Sequence, residues 1–204
     1  MARVEIGRWS CPEHGAVVAL RRPVGADTEI GYEGFADHLL ATPDLPTYLP
    51  WPLSPGWRIT DVAAVGGWDD VPTHASLTCV SGTSRLDGPV DVLLVVEEAG
   101  TGLGARCAGL LHDDPGPGLG AGPPLVRVRI GRAVVPLWPV SVAGVEGDLD
   151  RSVVAGEVEG RWLWVVVRPA SAILLLRDDW ILRDVSGLGP PLVELPFGGP
   201  GPRW

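Results

Sequence analysis

The chain of 204 residues contains no lysine; all 16 of its basic residues are arginines. That absence removes whole classes of chemistry. A Walker A loop sets a lysine ammonium on the nucleotide phosphates. Pyridoxal enzymes and Schiff-base aldolases react through a lysine amine. Protein kinases and Ser-x-x-Lys acyl enzymes need a lysine as well. Cysteine is almost as scarce. Cys11, Cys79 and Cys107 form an odd, sparse set, which is no disulfide framework and suits a reducing compartment. Met1–Gly7 lacks the apolar stretch of a secretory signal. The longest apolar runs, Val92–Val96, Leu163–Val167 and Ala172–Leu176, fall far short of the ~20 residues of a membrane helix. A cytoplasmic protein with no membrane contact is expected. Positive charge is also in short supply: the net charge is −9. The densest basic group, Arg127, Arg129 and Arg132, is an ordinary strand pattern and no patch for a phosphate backbone, so nucleic acid is not an expected partner.

What is present points to β structure. The 28 glycines and 21 prolines make up about a quarter of the chain and fall between apolar runs, as loop punctuation. Arg58–Val65, Ala75–Val80, Val90–Val96, Leu125–Ile130 and Ala133–Val140 read as strands. Val153–Glu159 and Arg161–Arg168 read as a hairpin. In Arg161–Arg168 both alternating faces are apolar, which predicts a central strand. Ala172–Leu176 and Trp180–Val185 are expected to extend the sheet. One short helix is predicted near Tyr32–Leu40, and a second, weakened by its glycines, over Gly100–Leu111. The predicted fold class is α+β, with a predominantly antiparallel sheet, or two sheets packed face to face, and one or two short helices. The organisation that follows is an N-terminal segment 1–24 resembling a degenerate zinc knuckle, a mostly-β globular domain 25–197 with an internal loop 113–124, and a flexible tail 198–204.

Several groups of residues carry chemical meaning. Cys11-x2-His14 is one knuckle of a zinc ribbon, in which a tight turn aims two ligands at one ion. A closed site needs two more ligands, and no second knuckle follows. Zinc therefore has half a site, against the plainer reading of a turn with a small thiol, and no other cofactor is expected. Gly100-Thr101-Gly102-Leu103-Gly104-Ala105 follows a strand and opens a helix, the context of a dinucleotide-binding loop. Glu97 and Glu98 stand just before it, where they would repel a pyrophosphate, and no acidic ribose contact follows about 20 residues on. His112-x-Asp114 would offer two ligands of an iron triad, with only His74 to complete it. The doublets Asp69-Asp70, Glu97-Glu98 and Asp178-Asp179 are candidate acid–base pairs. No Gly-x-Ser-x-Gly elbow is present. Cys79 reads as a buried strand residue and Cys107 as a half-exposed one. Nine tryptophans are many for this length. Trp9, Trp51 and Trp68 are expected to be partly exposed. The proline-clamped stretch Leu49–Trp57 is expected to lay Trp51 and Trp57 on the core.

A resemblance adds to this reading. Arg8–Gly15, Trp51-Pro52-Leu53-Ser54-Pro55-Gly56-Trp57, Glu97–Arg106, Asp113–Pro117, Pro136-Leu137-Trp138 and Gly160–Trp164 together resemble an uncharacterised actinobacterial family of unknown function with an N-terminal zinc-ribbon-like element. The likeness runs over most of the chain, from about Arg8 to the last strands. Relatives typically carry a Cys-x2-Cys pair ahead of the part matching Trp9, which this chain lacks. Some relatives carry a phosphotransacetylase label, and no catalytic motif in this chain matches it.

Two functions follow. The first is a cytosolic, non-enzymatic interaction or binding module with a protein partner. It predicts a filled interior around Glu97 and exposed tryptophans elsewhere. The second is a small-molecule or nucleotide-binding enzyme using the Gly100–Ala105 turn with Glu97 and Glu98. It requires a concave pocket at the end of that strand.

Overall fold

The computed structural model describes residues 9–11, 15–23, 29–68, 71–142, 151–177, 180–202 and 204, with backbone only for 9–11 and 15–17. β1 (Trp9–Cys11) and β2 (Gly15–Val17) form a small antiparallel ribbon. After β3 (Leu20–Arg21), α1 (Tyr32–Ala41) and β4 (Tyr48–Pro50) come β5 (Arg58–Val65), β6 (Ala75–Ser84) and β7 (Gly88–Glu97). α2 (Leu103–Ala108) leads to β8 (Val126–Ile130), β9 (Ala133–Pro139), β10 (Ser152–Val158), β11 (Arg161–Arg168) and β12 (Ile181–Asp184). No helix among the described residues is long and apolar enough to cross a membrane.

β3 to β12 build one continuous sheet in the order β3-β5-β6-β7-β11-β10-β9-β8-β12-β4. All pairings are antiparallel except β12 with β8. The protein is thus α+β with β predominant. The alternative of two separate sheets gives way to one ladder that doubles back: β4, at its far end, approaches β6. The ladder stays open, with β3 and β4 as its two ends. Tight turns drive the pairing. Glu159 (φ 52°) and Gly160 (φ 76°) form the two-residue left-handed turn that suits the strand twist, and so fix the β10–β11 register.

The curl gives the sheet two unlike faces. The inner face holds the larger core, in which Val92, Leu94, Val96, Leu163, Val165 and Val167 meet Val128, Leu137, Leu182 and Leu49 from the opposite limb. α1 adds Phe35 to it. The outer face carries a smaller cluster in which Leu93, Val95, Trp164 and Val166 are covered by Leu103, Ala105, Cys107 and Ala108. β11 lies between β7 and β10 and feeds both cores, as its two apolar faces require.

Three expectations need correction. Ala172–Leu176 is no strand but part of a 3₁₀ helix, Ala170–Arg177. The Ala172 N–H closes a turn onto the Pro169 carbonyl, and the spacing of Ala172 and Leu176 turns both into the inner core. Cys107 is fully buried, because α2 is pressed onto the outer face. Gly198–Trp204, read as a frayed tail, contacts β5 through its described residues 198–202 and 204: the Gly198 N–H donates to the Ile59 carbonyl, and Trp204 Nε1 donates to Asp61 Oδ2 at 3.0 Å.

Candidate functional site

The two candidate sites lie in different parts of the sheet. The first is the end of β7. Glu97 pairs with Ala75 of β6 and Trp162 of β11, and its side chain lies on the outer face, covered by α2. It is 0 % exposed. Its Oε2 accepts the backbone N–H of Leu103 at 2.7 Å and of Gly104 at 3.1 Å. These are the N–H groups that a dinucleotide loop would offer to phosphate. The anion seat of the glycine turn is therefore filled by the chain's own carboxyl group.

The rest of this end closes around that contact. Asp114 Oδ1 accepts the Gly100 N–H at 2.8 Å and the Trp162 indole N–H at 2.9 Å, folding the 113–124 loop back onto the sheet. Gly104 lies flat on the Trp164 ring, and a Cβ there would overlap it. Burial pushes the Glu97 carboxyl up to about 7. The Gly104 and Leu103 N–H groups and the Trp164 indole oppose that shift, and the nearby Asp114 carboxylate adds to it. Glu97 Oε1 and Trp164 Nε1 are buried without a hydrogen-bond partner. Glu98 points the other way and bonds His74 Nδ1 at 2.8 Å in an exposed pair. His112 donates from Nδ1 to the Asp114 carbonyl at 2.6 Å. Among the described residues no three His, Cys, Asp or Glu side chains gather as metal ligands, so His74, His112 and Asp114 do not form a triad.

The second place is the proline-clamped stretch. Pro50, Trp51, Pro52, Leu53, Ser54 and Trp57 line one wall of a cleft of about 270 Å³, which Thr83, Ser84, Leu175, Trp180 and Ile181 complete. Trp57 is 9 % exposed and anchors the stretch to the inner core. It can do so because Gly82 of β6 leaves room for the indole, where a Cβ would collide. Trp51 is held from outside by Arg183, whose guanidinium lies 4.6 Å from its ring centre. No lining residue is acidic. Trp68, also partly exposed, has Arg21 over its ring at 4.9 Å.

Other sequence candidates are not brought together. Of Cys11 only the backbone is described, and His14 lies outside the described residues, as do Asp69, Asp70, Asp178 and Asp179. Cys79 and Cys107 are both buried, and burial pushes both thiols well above the usual range, so neither supplies a thiolate. Trp51-Pro52-Leu53-Ser54 and its near repeat Trp138-Pro139-Val140-Ser141 occupy unlike positions: one lines the cleft and the other ends β9.

Sequence reasoning missed three buried polar contacts. His38 is fully buried and shares a 3.0 Å hydrogen bond between Nε2 and Ser76 Oγ, and burial lowers its pKa to about 4. Asp61 is ion-paired with Arg22 and bonded by Trp204. Thr60, Ser81 and Asp91 are linked through Ser81 Oγ, which donates to Asp91 at 2.5 Å. Their sequence signal was weak, since each partner comes from a distant part of the chain.

A family model described as a family of unknown function matches residues 2–204. No curated protein and no solved structure matches the chain.

Proposed function

The chain belongs to that family of unknown function, DUF6758, and we propose that it acts as a non-enzymatic binding module whose recognition surface is the Trp51–Trp57–Trp180 cleft. One observation carries the reading: three indoles and two prolines converge on an open cleft, beside the hydroxyls of Ser54, Thr83 and Ser84. Aromatic walls of this kind hold extended proline- or aromatic-bearing segments, whose carbonyls remain free to accept hydrogen bonds. No hydrogen bond among the described residues takes up the indole N–H of Trp51, Trp57 or Trp180, which leaves three donors for such a segment. The partner is thus an extended stretch of another protein.

The second reading, a nucleotide-binding enzyme at the Gly100–Ala105 turn, has little support. The N–H groups it needs are engaged by Glu97, and Glu97 itself is sealed from solvent. A half-site at Cys11 and His14 holds zinc weakly by itself. A native mass spectrum of the protein at the bare chain mass is expected, and an added zinc would give the N-terminal ribbon a role in binding.

The test of the main reading is an NMR titration that follows all indole N–H resonances. The probes are three ten-residue peptides: one proline-rich, one bearing aromatic residues and one Ala/Ser-rich control. Shifts confined to Trp51, Trp57 and Trp180 with the first or second peptide are expected. No shift with either, or shifts centred on Trp162 and Trp164, would overturn the assignment.

A further inference from the structure

The segment between Gly100 and Gly109 has the mechanical features of a moving part. It turns on glycines at both ends, with Gly100 (φ 80°) and Gly102 (φ 80°) on one side and Gly109 (φ 77°) on the other. Left-handed backbone at these positions is free for glycine and strained for other residues. Between them α2 buries mostly small side chains: Gly104, Ala105, Cys107 and Ala108, with Leu103 the one large residue. Small side chains remove little apolar surface from water, so this helix is held less firmly by packing than a leucine-rich one. The polar ties of the segment are the Glu97 contacts to Leu103 and Gly104, the Asp114 contact to Gly100, the Thr101 hydroxyl bond to the Glu98 carbonyl at 2.7 Å, and the Arg151 Nη1 bond to the Cys107 carbonyl at 3.1 Å. Beneath it lies Trp164, fully buried.

We propose that Gly100–Gly109, hinged on glycines at both ends and pinned by the Glu97 carboxyl, is a latch that opens over Trp164 when Glu97 loses its proton. The geometry favours the protonated state over the ionised one. Ionised, Glu97 is a buried charge that accepts two backbone N–H groups and faces the unpartnered indole N–H of Trp164. Protonated, it is relieved of that desolvation and keeps the two backbone contacts on Oε2. Opening hydrates the carboxyl and removes the cost of ionising it.

The surroundings offset the charge only in part, through the Leu103, Gly104 and Trp164 N–H groups, and supply no cation to it. β6 contributes Ala75 and β11 contributes Trp162 and Trp164, all uncharged. α2 presents the Cys107 thiol, held neutral by burial, while Arg106 is exposed. The following loop brings the Asp114 carboxylate, with Asp113 beside Gly102 and His112 tied to the Asp114 backbone. Just after the strand, Glu98 is exposed and paired with His74. No cation is paired with Glu97 among the described residues.

The sign follows from linkage. The closed state holds the Glu97 proton up to about 7, against an ordinary value of 4.5. The opening equilibrium therefore rises as pH goes from 4.5 to 7, by a factor on the order of 10². The experiment is hydrogen exchange of the Leu103 and Gly104 amides from pH 5 to pH 8, corrected for the intrinsic rate, on the whole protein and on Glu97→Gln. Protection that falls by tenfold or more in the wild type and stays level in the variant is expected. Level protection in the wild type, or the same slope in both proteins, would overturn the latch. Should Glu97→Gln fail to fold, the Glu97 carboxyl ¹³C resonance of the wild type decides. A midpoint near that of the exchange profile supports the proposal, and one below 5 defeats it.

Discussion

The closed end of β7 and the open cleft beside Trp51 are built with the same device and reach opposite results. In each, an indole lies flat on a glycine: Trp164 on Gly104, Trp57 on Gly82. In each, a glycine- or proline-rich stretch is drawn over the sheet. At the closed end most of the polar groups raised by the turn are taken up within the chain, by Glu97 and Asp114. At the cleft, no hydrogen bond among the described residues takes up the indole N–H of Trp51, Trp57 or Trp180, and no lining residue is acidic. A glycine run after a strand is thus a poor guide to ligand binding when its N–H groups already have a carboxylate.

The sharpest way to break this comparison is to put a methyl group at each glycine. Gly104→Ala drives a Cβ into Trp164, which is 0 % exposed and cannot retreat. Gly82→Ala drives one into Trp57, which can shift toward the cleft. Losses of about 3 kcal/mol for the first and about 1 kcal/mol for the second are expected in urea unfolding. Equal losses would mean that the cleft is as tightly packed as the closed end.

A pH-dependent effect of comparable size separates the buried acid of the closed end from the buried base of α1. The His38 pKa is lowered from 6.5 to about 4 by burial. The folded state therefore disfavours the proton, and the stability this gives is present above pH 6.5 and lost as pH falls toward 4. The loss reaches at most about 3 kcal/mol at the low end. Glu97, raised by burial, has the opposite sign: its contribution is present below 4.5 and lost as pH rises through about 7. Urea unfolding of His38→Phe is expected to lack the wild-type loss between pH 6.5 and pH 4. A variant that tracks the wild type would place the acid sensitivity elsewhere.

The sequence was most legible where the backbone signal is local. Val90–Val96 and Arg161–Arg168 announce central strands by being apolar on both faces, and both are central. Ala172–Leu176 misled because a short apolar run carries no period, and Pro169 before it settled the matter in favour of a 3₁₀ turn. Glu97 stood out as an acidic residue at a strand end, but its role depends on Leu103 and Gly104 turning their N–H groups back toward it. Local spacing shows that only once α2 is known to fold over the strand. The cleft was half legible: proline clamping predicted that Trp51 and Trp57 would lie on the core, whereas Trp180 and Leu175 arrive from another part of the chain. His38, Asp61 and the Thr60–Ser81–Asp91 chain depend on tertiary contact throughout.

At the cleft itself, Trp51→Ala is expected to cost about 1 kcal/mol of stability, since the ring is only partly buried. It should nevertheless abolish any peptide response of the remaining indoles. That split between small structural and large binding effects is what an open site predicts. A loss of about 3 kcal/mol would make Trp51 a core residue and weaken the cleft reading.

The smallest effect tests what holds the open wall in place. Arg183 is exposed and stacks on Trp51 at 4.6 Å without an ion-pair partner among the described residues. A solvated cation over an indole contributes about 0.5 kcal/mol. Arg183→Ala should therefore change thermal unfolding little, while altering Trp51 fluorescence because the ring loses its outer cover. If stability instead drops as far as in Gly104→Ala, the wall is braced as firmly as the closed end. The contrast between the two regions would then lie in their polar groups alone, and not in their packing.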